Sequence, residues 1–144
     1  MKLLKMTEIK EVDIQNDILE CLVMRRIGFF WRMNNIPVFD PTSKKYRAMP
    51  KFSQKGVCDI IGLISSRFIG IEVKSKSAFM WHTHFYETLK FDNKIFSHSP
   101  TSKREESALA QVQFIERIKL SGGLAFFTFS FEHVLATLKE NSML

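Results

Sequence analysis

Two apolar runs, Val57–Ile64 and Arg67–Lys74, flank the dipeptide Ser65–Ser66 and constrain the fold more than any other stretch. Each has the length of a strand, and a two-residue spacer is the spacing of a tight hairpin. Alternation sends Val57, Ile61 and Leu63 to one face of the first run and Cys58, Ile60 and Ile64 to the other. Both faces are apolar, so this strand is expected at the centre of a sheet covered on both sides. In the second run Ile69, Ile71 and Val73 face the core, while Phe68, Gly70, Glu72 and Lys74 share the opposite face.

The remaining elements follow from periodicity and punctuation. Ile14, Ile18 and Leu22 recur at four-residue spacing and predict a helix over Thr7–Arg26, with Thr7 as N-cap and Gly28 as C-cap. Phe29–Met33 reads as a strand. Asn34–Gly56 carries three prolines among polar and basic residues and reads as a long irregular segment with room for a short hairpin. Ser75–Lys103 is a second long connection, holding irregular strands or a short helix. Ala108, Val112, Ile115 and Ile118 predict a helix over Arg104–Leu120, stopped by Ser121–Gly123. A strand, Leu124–Ser130, and a closing helix, Phe131–Glu140, complete the chain. The expected fold class is α/β: a central mixed β-sheet flanked by helices, in the order α-β-β-β-α-β with a last helix.

The chain has 144 residues, which fits a single domain over 1–144, and its fourteen phenylalanines are ample for a packed core. The formal charge of +6 favours a polyanionic partner, most often nucleic acid. The two cysteines, Cys21 and Cys58, fall inside regular elements and read as core residues in a reducing compartment. The N-terminal stretch turns charged too early for a signal peptide, and no run approaches the ~20 apolar residues of a membrane span. These features predict a cytoplasmic protein without a membrane partner.

Asp59, Glu72 and Lys74 are the charges inside the apolar hairpin. Glu72 and Lys74 emerge side by side, roughly 7 Å apart at their Cα atoms, and Asp59 lies on the neighbouring strand, ~5 Å away. Two carboxylates this close repel unless a positive charge stands between them. Mg²⁺ suits two carboxylates supplemented by water and phosphate oxygens, and the Lys74 ammonium would stand beside it, on the attacking water or the scissile phosphate. The alternative is an ordinary ion pair between Asp59 and Lys74.

The pieces "GVCDIIG" and "GIEVKSK" resemble the split motif of the PD-(D/E)XK nuclease superfamily, with Asp59, Glu72 and Lys74 as its three chemical residues and Cys58 where the family name has proline. With "QVQFIERI" and "SGGLAFF" following in order, the chain is similar to the VRR-NUC and Holliday-junction-resolvase-like group. The resemblance implies a restriction-endonuclease-like core. It adds the main-chain carbonyl of Val73 to Asp59 and Glu72 as metal ligands. It gives Gln111 a catalytic, water- or lysine-orienting role, and places an acid on the first helix. Aligning the apolar stripe puts Gln15 at that last position; Glu11, one turn earlier, is the acid able to reach in. The helical wheel independently sets Gln111 with Phe114, Ile115 and Ile118 on the sheet-facing side.

Arg32, Lys51, Lys55 and Lys76, with Lys44, Lys45 and Arg47, are candidate phosphate contacts. His82 and His84 lack the clustered ligands of a zinc site, and aromatic residues of Ser75–Lys103 are candidates for stacking on unpaired bases. The expected function is a Mg²⁺-dependent DNA endonuclease, with Mn²⁺ able to substitute, acting on branched DNA such as Holliday junctions and working as a homodimer. The alternatives are a sequence-specific restriction-type enzyme and an inactive nucleic-acid-binding module.

Overall fold

The structure is a computed structural model that describes residues 8–33, 39–47 and 50–144. In chain order the elements are α1 (Glu11–Met24), β1 (Phe29–Arg32), β2 (Phe39–Asp40), β3 (Lys45–Tyr46), β4 (Ile60–Ile64), β5 (Arg67–Val73), α2 (Lys76–Phe91), α3 (Lys103–Leu120), β6 (Leu124–Thr128) and α4 (Phe131–Glu140).

The apolar hairpin forms as expected. β4 and β5 pair antiparallel, from Ile60↔Ile71 to Ile64↔Arg67. Ser65 and Ser66 both take positive φ, 48° and 69°, the conformation whose twist matches two right-twisted strands. β1 adds antiparallel to β4, and β6 adds parallel to β5, giving a mixed four-stranded sheet in the order β1-β4-β5-β6. The hairpin strands are therefore central. β2 and β3 form a separate two-stranded ribbon inside the segment read as irregular.

Helices cover both faces. On one, Ile14, Ile18 and Leu22 of α1 and Phe131, Val134 and Leu138 of α4 pack on Ile60, Ile64, Ile69, Ile71 and Val73. On the other, α2 and α3 bring Tyr86, Leu89, Leu109, Val112 and Ile115 against Cys58, Ala125 and Phe127. Each fully buried aliphatic side chain stabilises the sandwich by roughly 1.5–3 kcal/mol. No helix among the described residues is long and apolar enough to cross a membrane.

Four local expectations are corrected. Cys58 packs with the α2/α3 cluster, not with Ile60 and Ile64, because the strand begins only at Ile60 and alternation does not extend back to Cys58. Gly28 does not cap α1. The helix ends at Met24, Arg26 takes the left-handed conformation (φ 53°) and the Ile27 amide closes on Leu22 O at 3.0 Å. The connection after β5 is a helix of 16 residues, α2, with Ser75 as N-cap accepting from the Ala78 amide. α1 also starts later than expected, at Glu11 with Lys10 in the N-cap position and no side-chain cap; Thr7 itself lies outside the described residues.

Candidate active site

The hairpin register builds the site. One step beyond Ile60↔Ile71, Asp59 comes opposite Glu72 on the face that α2 and α3 cover. Asp59 Oδ2 accepts a hydrogen bond from the Val73 amide at 2.8 Å, which fixes its carboxyl against β5. Lys74 Nζ lies 3.5 Å from Glu72 Oε1. The ion pair at this site is thus Lys74 with Glu72. The Lys74 amide itself donates to Thr128 O at 2.9 Å, so β6 holds the end of β5 in place.

Burial acts on both acids, and repulsion from Asp59 acts further on Glu72. Burial pushes the Asp59 carboxyl above its ordinary range, against the Val73 amide and the Lys74 charge, which favour ionisation. Burial and then the charge of Asp59 push Glu72 well above the usual carboxylate range. The two carboxyls are close enough for one to donate to the other when it carries a proton. As carboxylates neither can donate, and Glu72 Oε2 then stands buried without a partner, as does Gln111 Oε1. Unpaired buried oxygens are costly, and the one on Glu72 calls for a cation or a donor.

Glu11 is exposed, accepts from the Ser75 amide at 3.2 Å, and is near enough for its charge to raise Asp59. Beside it, Glu8 Oε1 accepts from both the amide (3.1 Å) and the hydroxyl (2.7 Å) of Ser77. Two acids before and within the first turn of α1 thereby tie down the amino end of α2, where helix-dipole charge favours anions. Gln15 is half-buried on α1. Gln111 is half-buried on α3; Gln113, two residues on, donates to Ile95 O at 3.0 Å instead.

Among the described residues no three of His, Cys, Asp and Glu converge as a metal-binding group. The donors on hand for a cation are the two carboxyls and main-chain or amide oxygens, hard ligands that fit Mg²⁺ and leave positions for water and phosphate.

The candidate phosphate contacts are spread out. Arg32 lies on the opposite face of the sheet, where its guanidinium bonds Asn16 Oδ1 of α1. Lys51 and Lys55 are exposed in the segment leading into Asp59, with Lys51 Nζ 5.4 Å from the Phe52 ring centroid. Lys76 is exposed at the first position of α2. His82 is buried, with Nδ1 2.7 Å from Ala78 O, and burial together with the Lys74 and Arg104 charges holds its pKa down; His84 is exposed. Tyr86 packs into the α2/α3 cluster with Phe79 and Phe85 against it; the Trp81 ring stacks on Phe85, and the Arg104 guanidinium also lies over it, 3.9 Å from its centroid.

Two features carried no sequence-level expectation. Gly56, with φ 70°, passes so close to α3 that a Cβ there would lie 2.3 Å from Ala110 O and 2.7 Å from the Gln111 amide. The glycine lets the segment before Asp59 lock onto the helix that carries Gln111. The second is an exposed aromatic pair, Phe29 and Trp31 on β1, on the same sheet face as the two acids. Compared with protein-family models, curated proteins and solved structures, the chain matches none.

Proposed function

We propose that the chain is a metal-dependent DNA endonuclease with Asp59, Glu72 and Lys74 at its centre. One observation carries the reading: a half-buried and a buried carboxyl share a sheet face with a lysine ammonium, and one carboxylate oxygen of the buried acid is left without a partner. A structural ion pair needs one acid; the second acid at this spacing destabilises the fold near neutral pH unless a cation joins it or one carboxyl keeps its proton.

Asp59, Glu72 and the Val73 carbonyl would hold Mg²⁺ or Mn²⁺. Bound there, the metal supplies a Lewis acid that stabilises charge developing on the phosphoryl oxygens and the leaving group. Lys74, as an ammonium, would position the attacking water and stabilise the hydroxide formed as the water's proton passes to solvent. Gln111 supports the same water or the lysine, and Glu11 keeps the start of α2 against the site while adding negative charge beside Asp59. The water oxygen bonds phosphorus in line as the bond to the 3′ oxygen breaks, leaving 5′-phosphate and 3′-hydroxyl ends. Lys51, Lys55 and Lys76 would meet the flanking phosphates. Branched DNA is the preferred substrate in this reading. A homodimer would bring two such sites to the two scissile strands of a junction.

A cleavage panel tests it: four-way junction, flap, linear duplex and single strand, each with Mg²⁺ or EDTA. Junction cutting with Mg²⁺ is expected. Asp59→Asn and Lys74→Ala should each lower the rate by at least about a hundredfold. A fixed cut in linear duplex would favour a restriction-type enzyme. Tight binding without cleavage under any divalent cation would leave only a binding module.

A further inference from the structure

The sheet face that bears Asp59 and Glu72 is only half covered. α2 and α3 pack over β5 and β6, and there Ala125 and Phe127 are buried. Over β1 and β4 the described residues leave much of the same face exposed, as a shelf. Register pairs Phe29 with Leu63 and Trp31 with Ile61, so all four share it. Ile61 is 6% exposed, but Phe29 is 67%, Trp31 40% and Leu63 42% exposed. The Phe29 and Trp31 rings sit 5.4 Å apart and tilted by 46°, so neither ring covers the other's face. The Met33 amide, next in line along β1, donates to Asp59 O at 2.8 Å. Trp31 is therefore one strand over and two residues along from the first carboxylate, roughly 5 and 7 Å in those directions.

The segment that joins β1 to β4 leaves and re-enters the sheet at its carboxylate end, where the Met33 amide meets Asp59 O. It carries Lys44, Lys45, Arg47, Lys51 and Lys55 against a single acid, Asp40, and all five cations are exposed. That charge selects between occupants. A second copy of the chain packed symmetrically through the shelf would bring two such basic segments together, which like-charge repulsion opposes. A nucleic-acid strand is complementary to it. Duplex DNA offers phosphates but keeps its base faces stacked inside; only an unpaired base can cover an aromatic ring.

We infer that Phe29 and Trp31 form a stacking platform for an unpaired DNA base beside the acidic pair, so that the substrate is DNA with a single-stranded portion next to the scissile phosphate. This rests on the reading of Asp59, Glu72 and Lys74 as a site acting on DNA, but its test needs no catalysis. In EDTA, fluorescence anisotropy would follow binding of a labelled 16-nucleotide single strand and of its blunt duplex. The double variant F29A/W31A should weaken single-strand binding about tenfold or more, the size of one base–aromatic stack, and leave duplex binding within about twofold. Trp31→Phe, which keeps a ring, should retain most of the affinity. Lys51→Ala with Lys55→Ala should weaken both substrates and flatten the salt dependence.

Unchanged single-strand affinity in F29A/W31A, with circular dichroism showing an intact fold, would overturn the inference. So would equal loss on both substrates, or conversion of a wild-type dimer to a monomer in sedimentation, which would make the shelf a protein interface. Loss of single-strand binding in a protein that cleaves nothing would support the platform and defeat the nuclease.

Discussion

Glu72 is 4% exposed, with one oxygen on Lys74 and the other on nothing while both site acids are ionised. Its pKa in the folded chain is raised, so the folded state binds the proton more tightly than the unfolded state does. Stability contributed by the neutral acid is present at low pH and is lost as pH rises from the ordinary glutamate range through the raised folded value. Asp59 acts in the same direction. Glu72→Gln removes this loss, and without metal it should raise the melting temperature at pH 8 by about 2–5 °C and do little at pH 4.5. Calorimetric or fluorescence-monitored melting checks this; a lower melting temperature at pH 8 would mean that the Lys74 pair outweighs the repulsion. His82, whose pKa burial lowers, pulls the other way, since its neutral form favours the fold and that gain fades as pH falls below the ordinary histidine range. Glu72, Asp59 and Lys74 were readable as one cluster in the sequence because a strand has period two, and the isolated charges had to leave on a shared face. The orphaned oxygen was not readable, since it depends on where Lys74 and α3 finally lie.

Gly56 shows how an element is positioned by a single residue. Gly56→Ala places a methyl group against the Ala110 carbonyl at a left-handed φ, so the strand entry or α3 must shift. The expected cost is about 2–4 kcal/mol in urea denaturation. Because the displaced helix carries Gln111, divalent-cation affinity should fall as well. An unchanged midpoint would show that this crossing is loose. Among the elements, α3, β6 and α4 were legible from periodicity, with the Ser121–Gly123 stop between the first two. α2 was not, although Phe79, His82, Tyr86 and Leu89 recur at helical spacing and Ser75 supplies a cap. Its stripe is built from aromatic residues and histidine, which have weak helix propensity and mimic strand or loop composition. The helix stands because its aromatic face is buried on the sheet and because Glu8 and Glu11 hold its first turn. Replacing both acids by alanine should loosen that turn, seen as faster amide exchange at Ser75 and Ser77 than in the rest of α2.

At the scale of the molecule, a mixed sheet carries helices on both faces, and among the described residues part of one face, over β1 and β4, stays exposed. The central hairpin was legible because its apolar faces demanded cover on both sides. The exposed part was not, because β1 alone does not reveal which neighbours its outward side chains will lack. Five of the chain's cations lie in the segment between β1 and β4, which leads into Asp59. In the proposed reading, that charge would guide a polyanion toward an acidic centre whose repulsion a divalent cation would relieve. The most direct measurement is a calorimetric titration of Mn²⁺ into the wild-type chain and into Asp59→Asn and Glu72→Gln at pH 7.5, with buffers of differing ionisation heat to count released protons. The expected result is saturable binding in the wild type with proton release, and at least about tenfold weaker binding in each variant. Equal Mn²⁺ affinity in all three chains, or no binding in any, would contradict a cation site at Asp59 and Glu72.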